Sequence, residues 1–244
     1  MVFISLAGTI YAQQPGDVSA SKSGFSPGAG GGGLLGYTFT RYTLEGGSVE
    51  STQRMNRLDY GAFMFFDTVY VELSALFQGG FSTYQENMIF SDAALANSQG
   101  MGYEASLGIS LLGKYPFTIN RHFSWFPLLG VAYHIALLQR RLPEGSFVYD
   151  RTDGRLAEDR DKNGNPYPLS AWNSWWVNIG AGLDYIIKGP LFLRSQLLFG
   201  FRLPTAYEMG ALEVVKNPPM NVDNPRLAGL TGSPTLKIGV GYRF

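Results

Sequence analysis

The chain has 244 residues with 19 basic and 19 acidic side chains, so it carries no net charge, which excludes a nucleic-acid partner held by counterion release. It has no cysteine and two histidines, which excludes disulfides, thiol catalysis, zinc–thiolate centres and multi-histidine metal sites. Charged residues are only 16% while aromatics reach 14%, so the chain is not disordered, and no apolar run approaches the roughly 18 residues of a membrane-spanning helix.

Residues 1–12 (MVFISLAGTIYA) form a short apolar stretch ending in a small residue, the chemistry of a signal-peptide remnant with cleavage after Ala12. Residues 13–33 are rich in Gly, Ser and Pro and read as a flexible tail, leaving 34–244 as one domain. In that domain, apolar and polar residues alternate over eight segments. Leu34–Tyr42 sets Leu35, Tyr37 and Phe39 against Gly36, Thr38 and Thr40. Leu58–Phe66 sets Tyr60, Ala62, Met64 and Phe66 against Asp59, Gly61, Phe63 and Phe65. Tyr70–Gly79 sets Val71, Leu73, Ala75 and Phe77 against Glu72, Ser74, Leu76 and Gln78. Gly102–Leu112 sets Tyr103, Leu107, Ile109 and Leu111 against Glu104, Ser106, Gly108 and Ser110.

Trp125–Leu138 follows, with Leu129, Val131, Tyr133, Ile135 and Leu137 opposite Gly130, Ala132, His134 and Ala136. Trp172–Ile186 sets Trp175, Val177, Ile179 and Leu183 against Trp176, Asn178, Gly180, Gly182 and Asp184. Leu191–Arg202 sets Leu193, Leu197 and Phe201 against Arg194, Gln196, Leu198 and Arg202. The chain closes with Leu236, Ile238, Val240, Tyr242 and Phe244 on one face and Lys237, Gly239, Gly241 and Arg243 on the other.

The connections alternate in length. Short turns fall at 67–69, 113–124 and 188–190, and long loops at about 43–57, 80–101, 139–171 and 203–234. Short turns at one end and long loops at the other follow the rule of outer-membrane barrels. The alternative is a soluble eight-stranded cup with its apolar face inside. The polar face argues against it. That face is full of glycine, which suits a narrow interior better than a solvated surface. The apolar face holds almost nothing ionisable, as hydrocarbon requires. Aromatics gather at both strand ends, Phe66, Tyr70, Tyr115, Trp125, Tyr185, Tyr242 and Phe244 at one and Phe39, Tyr60, Phe77, Tyr103, Trp172, Trp175 and Phe201 at the other. The expected fold is all-β, a closed eight-stranded antiparallel up-and-down transmembrane β-barrel.

Lys237, Gly239, Tyr242 and Phe244 occupy the places of a polar residue, a glycine, an aromatic and a final phenylalanine. This tail resembles the C-terminal assembly signal of bacterial outer-membrane barrels. The resemblance implies the bacterial outer membrane as location, with outer-membrane lipid and the barrel-assembly machinery as partners.

The inward face carries Asp59, Glu72, Glu104 and Asp184 with Arg194, Arg202, Lys237 and Arg243. The turn at Gly189 puts Asp184 opposite Arg194 as a cross-strand ion pair. Asp59, Glu104, Arg202 and Lys237 form a second layer, with His134 at similar height. Phe63, Leu76, Ala132 and Leu198 make an apolar waist between them. Eight strands leave room only for side chains or one small ligand, so a packed interior is expected, with a narrow passage or small apolar pocket as the functional alternative. This mixed lumen resembles the OmpW type of small, porin-like barrel, within the wider group of OmpW, OmpX and opacity-like barrels. That likeness implies passage or binding of small apolar molecules. The turn Leu112–Phe117 resembles turns of small spirochaete outer-membrane barrels.

Chemistry beyond this is sparse. His122-Phe123-Ser124 falls in a short turn, and His134 has no serine near it on its strand, so no catalytic residue and no enzymatic activity are expected, and a lipid-modifying outer-membrane enzyme stands last among three functional readings. Asp159, Asp161 and Asn163 match the opening of a calcium loop, but Ser170 stands where the closing acid should be, so a polar turn is expected and no cofactor. Loop 139–171 is strongly charged and offers the second functional reading, a surface barrel whose long loops bind host or neighbouring-cell partners.

Overall fold

The computed structural model describes residues 26–46, 49–90, 95–144, 168–209 and 226–244. Nine strands run through them: β1 (Gly28–Gly46), β2 (Val49–Asp67), β3 (Val71–Phe90), β4 (Leu95–Lys114), the two-residue β5 (Phe117–Thr118), β6 (Phe123–Glu144), β7 (Ser174–Lys188), β8 (Leu191–Arg202) and β9 (Arg226–Arg243). All pairings are antiparallel. β4 pairs with β6 past the stub of β5, and β1 pairs with β9 from Gly28↔Arg243 to Glu45↔Arg226. Eight strands therefore close into a cylinder with no free edge. Both described chain ends and the short turns lie at one end, called here the terminal end. The other is the hairpin end.

Alternation decides which way each side chain points, since successive residues of a strand face opposite sides of the sheet. Leu197, Leu129 and Met64 are 61–68% exposed, whereas Arg194, Glu72 and Gln196 are 0–1% exposed. The apolar face is outside and the ionic face inside, the reverse of a soluble barrel. The outward belt runs from Val71 to Phe81 on β3, about 33 Å along the strand. At a barrel strand's usual tilt this is a band roughly 25 Å tall.

Three expectations need correction. Residues 28–33 belong to β1, not to a flexible tail. The inward Gly30 and Gly32 lie opposite Phe65 and Phe63 on β2 and opposite Gly241 and Gly239 on β9. A Cβ on Gly241 would come within 2.4 Å of the Phe192 ring, so the bare glycine wall is what lets the rings lie flat against it. The segments 43–57 and 80–101 are not long loops. Strand pairing continues to Gly46↔Val49 and Ile89↔Leu95, making two tall hairpins. Their hydropathy stops alternating because both faces leave the apolar belt, while backbone pairing goes on without it. In β6 the register shifts so that Ala105 pairs with Leu138 and Ser106 with Ala136. Leu137 is thus an extra residue, and the bulge turns Gln139 inward.

Aromatic rings border the belt. At the terminal end Phe66 stacks on Phe244, and Phe117 on Trp125 at 4.9 Å. At the other border Phe81 lies between Tyr60 and Tyr103, and Tyr133 meets Trp175 at 4.7 Å. Trp172 does not join this ring, contrary to expectation. It ends a 3-10 turn (Leu169–Trp172) before β7 and stacks on Tyr207 at 3.7 Å, lining the barrel mouth.

Candidate functional site

The interior is layered. Near the terminal end, Arg194 on β8 gathers three carboxylates. Asp184 on neighbouring β7 receives Nε and Nη2 at 2.7 Å each. Glu72 receives Nη1 at 2.8 Å, and Asp67 receives Nη2 at 2.6 Å. Glu72 lies on β3, four strands from β8 in either direction around the cylinder. The guanidinium therefore ties opposite walls together. Lys114 pairs with Asp67, Arg243 reaches Asp184 at 3.4 Å, and Gln196 donates to Glu72 at 2.7 Å. Rings of Phe65, Phe126 and Phe192 face the guanidinium with centroids 4.6–5.1 Å away. Arg194, Glu72, Gln196, Leu112, Phe126 and Phe192 are each at most 1% exposed. The centre of this layer is closed to solvent, while Lys114 and Arg243 at its edge keep some exposure.

The apolar waist lies next along the axis. Phe63, Leu76, Ala132 and Leu198 are all buried. Lys237 lies over the Phe63 ring at 5.4 Å and makes no ion pair with a described residue. It lines a small cavity of about 40 Å³ with Asp59, His134 and Asn178. His134 lies over Gly108 and against Trp176, with no hydrogen bond to a described residue.

Toward the hairpin end a second cavity of about 50 Å³ opens between Arg57, Asp59, Glu104, Arg202, Trp172 and Tyr207. One water needs about 10–15 Å³ by this measure, so each cavity holds a few waters. Arg57 organises its charges. It donates to Asp59 at 2.5 Å and pairs with Glu104, while Thr38 donates to Asp59 at 2.5 Å and Gln139 to Glu104 at 2.9 Å. Arg202 lines this cavity together with Asp59 and Glu104. Its partner is Glu208, carried in by the segment after β8. The mouth is small and lined by both charged and aromatic side chains.

Asp184 and Arg194 stand directly opposite in register. Sequence reasoning overlooked Arg57, Asp67, Lys114 and Glu208. Arg57 shares the inward phase of Asp59 and is visible once the strand is extended past Leu58. Glu208 sits outside any strand and has no periodic signal. His122 and Ser124 do not form a pair. Asn120 Oδ1 accepts from the backbone N–H of His122 and Phe123 at 2.9 Å each, fixing a turn. Asp159, Asp161 and Asn163, and the stretch 1–25, lie outside the described residues.

No family model matches the sequence, and no curated protein does. Among solved structures, the chain is similar to the Yersinia pestis attachment invasion locus protein Ail, solved with the heparin analogue sucrose octasulfate, at 12% identity over 90% of this chain and 100% of that one, with a TM-score of 0.29. It is also similar to the translocator domain of the autotransporter NalP from Neisseria meningitidis (14% identity, 92% and 90% covered, TM-score 0.27). A third is the β domain of the Bordetella autotransporter BrkA (9% identity, 88% and 99% covered, TM-score 0.30). None of the three aligns closely enough to carry a role across.

Proposed function

We propose that the chain is a bacterial outer-membrane protein whose barrel is a closed anchor and whose hairpin end is the working surface. The observation that carries this is the Arg194 layer, which ties opposite walls and is closed to solvent at its centre. The belt supports the membrane part of the reading, because water would have to cover a continuous ring of exposed Leu, Ile, Val and Phe. With the hairpin end outside the cell, β1–β2 and β3–β4 rise past the belt as a paired four-stranded sheet. Such a wall suits contact with a host or a neighbouring cell. A non-enzymatic role belongs to the same proposal, since among the described residues no hydrogen bond joins His134 or His122 to a serine, although Ser174 stands opposite His134 in register.

Two measurements test it. Purified protein in planar bilayers is expected to give no steady conductance; a stable open level would overturn the closed anchor. Cells displaying the full chain are expected to adhere to matrix-coated surfaces or to each other. Replacing 43–52 and 86–98 by short turns should abolish adhesion while the barrel still folds. Adhesion that survives this replacement would remove the hairpins from the function.

A further inference from the structure

Cross-strand neighbours at the rim of the belt carry an unexpected charge. β1 and β2 pair in a register that sets Arg41 directly opposite Arg54. Both follow the outward phase, two residues beyond Phe39 and Asn56, and both are exposed. Like charges placed opposite each other on a sheet repel. Among the described residues neither has a carboxylate partner. Arg41 donates to the carbonyl of Thr40 at 2.9 Å and to Asn56 Oδ1 at 3.3 Å, and Arg54 has no hydrogen bond to a described residue. The register sets Glu45 and Glu50 opposite each other four residues further out, about 13 Å along the strand.

On this outer side a cavity of about 530 Å³ is lined by Arg41, Arg54, Asn56, Thr83, Gln85 and Gln99 among others, and no acid among the described residues lines it. Its lower border is the aromatic row of Tyr60, Phe81 and Tyr103. Aromatic rows mark the boundary between acyl chains and headgroups. In register Arg41 lies two residues beyond the aromatic Phe39, and Gln85, opposite Arg54, lies four residues beyond Phe81, so the pair is on the headgroup side of that boundary.

We propose that the Arg41–Arg54 cleft binds the phosphate of an anionic membrane lipid, which relieves the repulsion and fixes the barrel's depth. Arginine suits this because its planar fork donates in pairs to phosphate oxygens. The amides of Asn56, Gln85 and Gln99 supply further donors. The proposal rests on the membrane reading above.

The test uses the full chain refolded into phosphatidylcholine bilayers containing a minor fraction of phosphatidic acid, followed by native mass spectrometry of lipids retained on release. The wild type is expected to retain phosphatidic acid about tenfold over phosphatidylcholine. The pair R41Q/R54Q should reduce that preference to near unity, and R41K/R54K should keep part of it. Equal retention by wild type and R41Q/R54Q, with both floating with vesicles, overturns the site and leaves the membrane reading standing. Loss of the preference in excess inorganic phosphate would make the cleft a free-anion site and overturn the lipid assignment. A wild type that does not float with vesicles overturns both.

Discussion

A single guanidinium holds the barrel's interior. Arg194 contacts Asp67, Glu72 and Asp184, and replacing it would leave three acids to share Lys114 and Arg243. Removing one partner of a buried ion cluster costs about 3–5 kcal/mol. R194M is therefore expected to lower the unfolding free energy from urea titration in vesicles by that order, moving the midpoint down, and to introduce conductance. An unchanged midpoint would mean that aromatic packing alone carries the layer. A second residue-scale effect sits in the turn after β2. Val69 has φ of 82°, a conformation that suits a β-branched side chain poorly. Its N–H donates to Asp67 Oδ1 at 2.8 Å, which holds it there. Val69→Asn is expected to stabilise the barrel by about 1 kcal/mol, since asparagine enters that region more easily. No gain in the same titration would remove strain as the explanation. At this scale the Asp184–Arg194 pair was legible, because a tight turn fixes the register across it. The partners on more distant strands, Glu72 and Asp67, were not, because alternation gives a residue's face and says nothing about which wall it can reach.

Elements were legible where the belt imposes alternation and lost where it does not. Leu191–Arg202 was read with its observed bounds. β2 and β3 were cut short at Leu58 and Gly79, since beyond the belt a strand no longer has one greasy side. The run Gly28–Gly33 misled for a different reason. In isolation it reads as a tether, whereas in the barrel it is a floor for the Phe63 and Phe65 rings on the next strand. Gly182 tests this use of glycine, because a Cβ there would sit 2.2 Å from Phe126. Gly182→Leu is expected to cost about 1–3 kcal/mol through overpacking, measured by the same urea titration. A neutral result would mean that the ring has room to move. At the last strand, Phe244 stacks on Phe66 and its N–H donates to Pro27 O at 3.0 Å, so it closes the seam between the first and last strands. Deleting it should slow membrane assembly in cells; normal insertion of the deletion would leave the tail's resemblance without consequence.

For the whole molecule, everything depends on which side of each strand meets lipid. The ion layer, the polar mouth and the tall hairpins acquire their roles only with the greasy face outward in a bilayer. The chain has no cysteine, so single cysteines can be introduced and spin-labelled without background. Labels at Leu197 and Ile238 in reconstituted bilayers should be open to molecular oxygen and shielded from a water-soluble nickel relaxant, while a label at Gln85 should show the opposite. Leu197 and Ile238 relaxed by nickel as strongly as Gln85 would contradict the account.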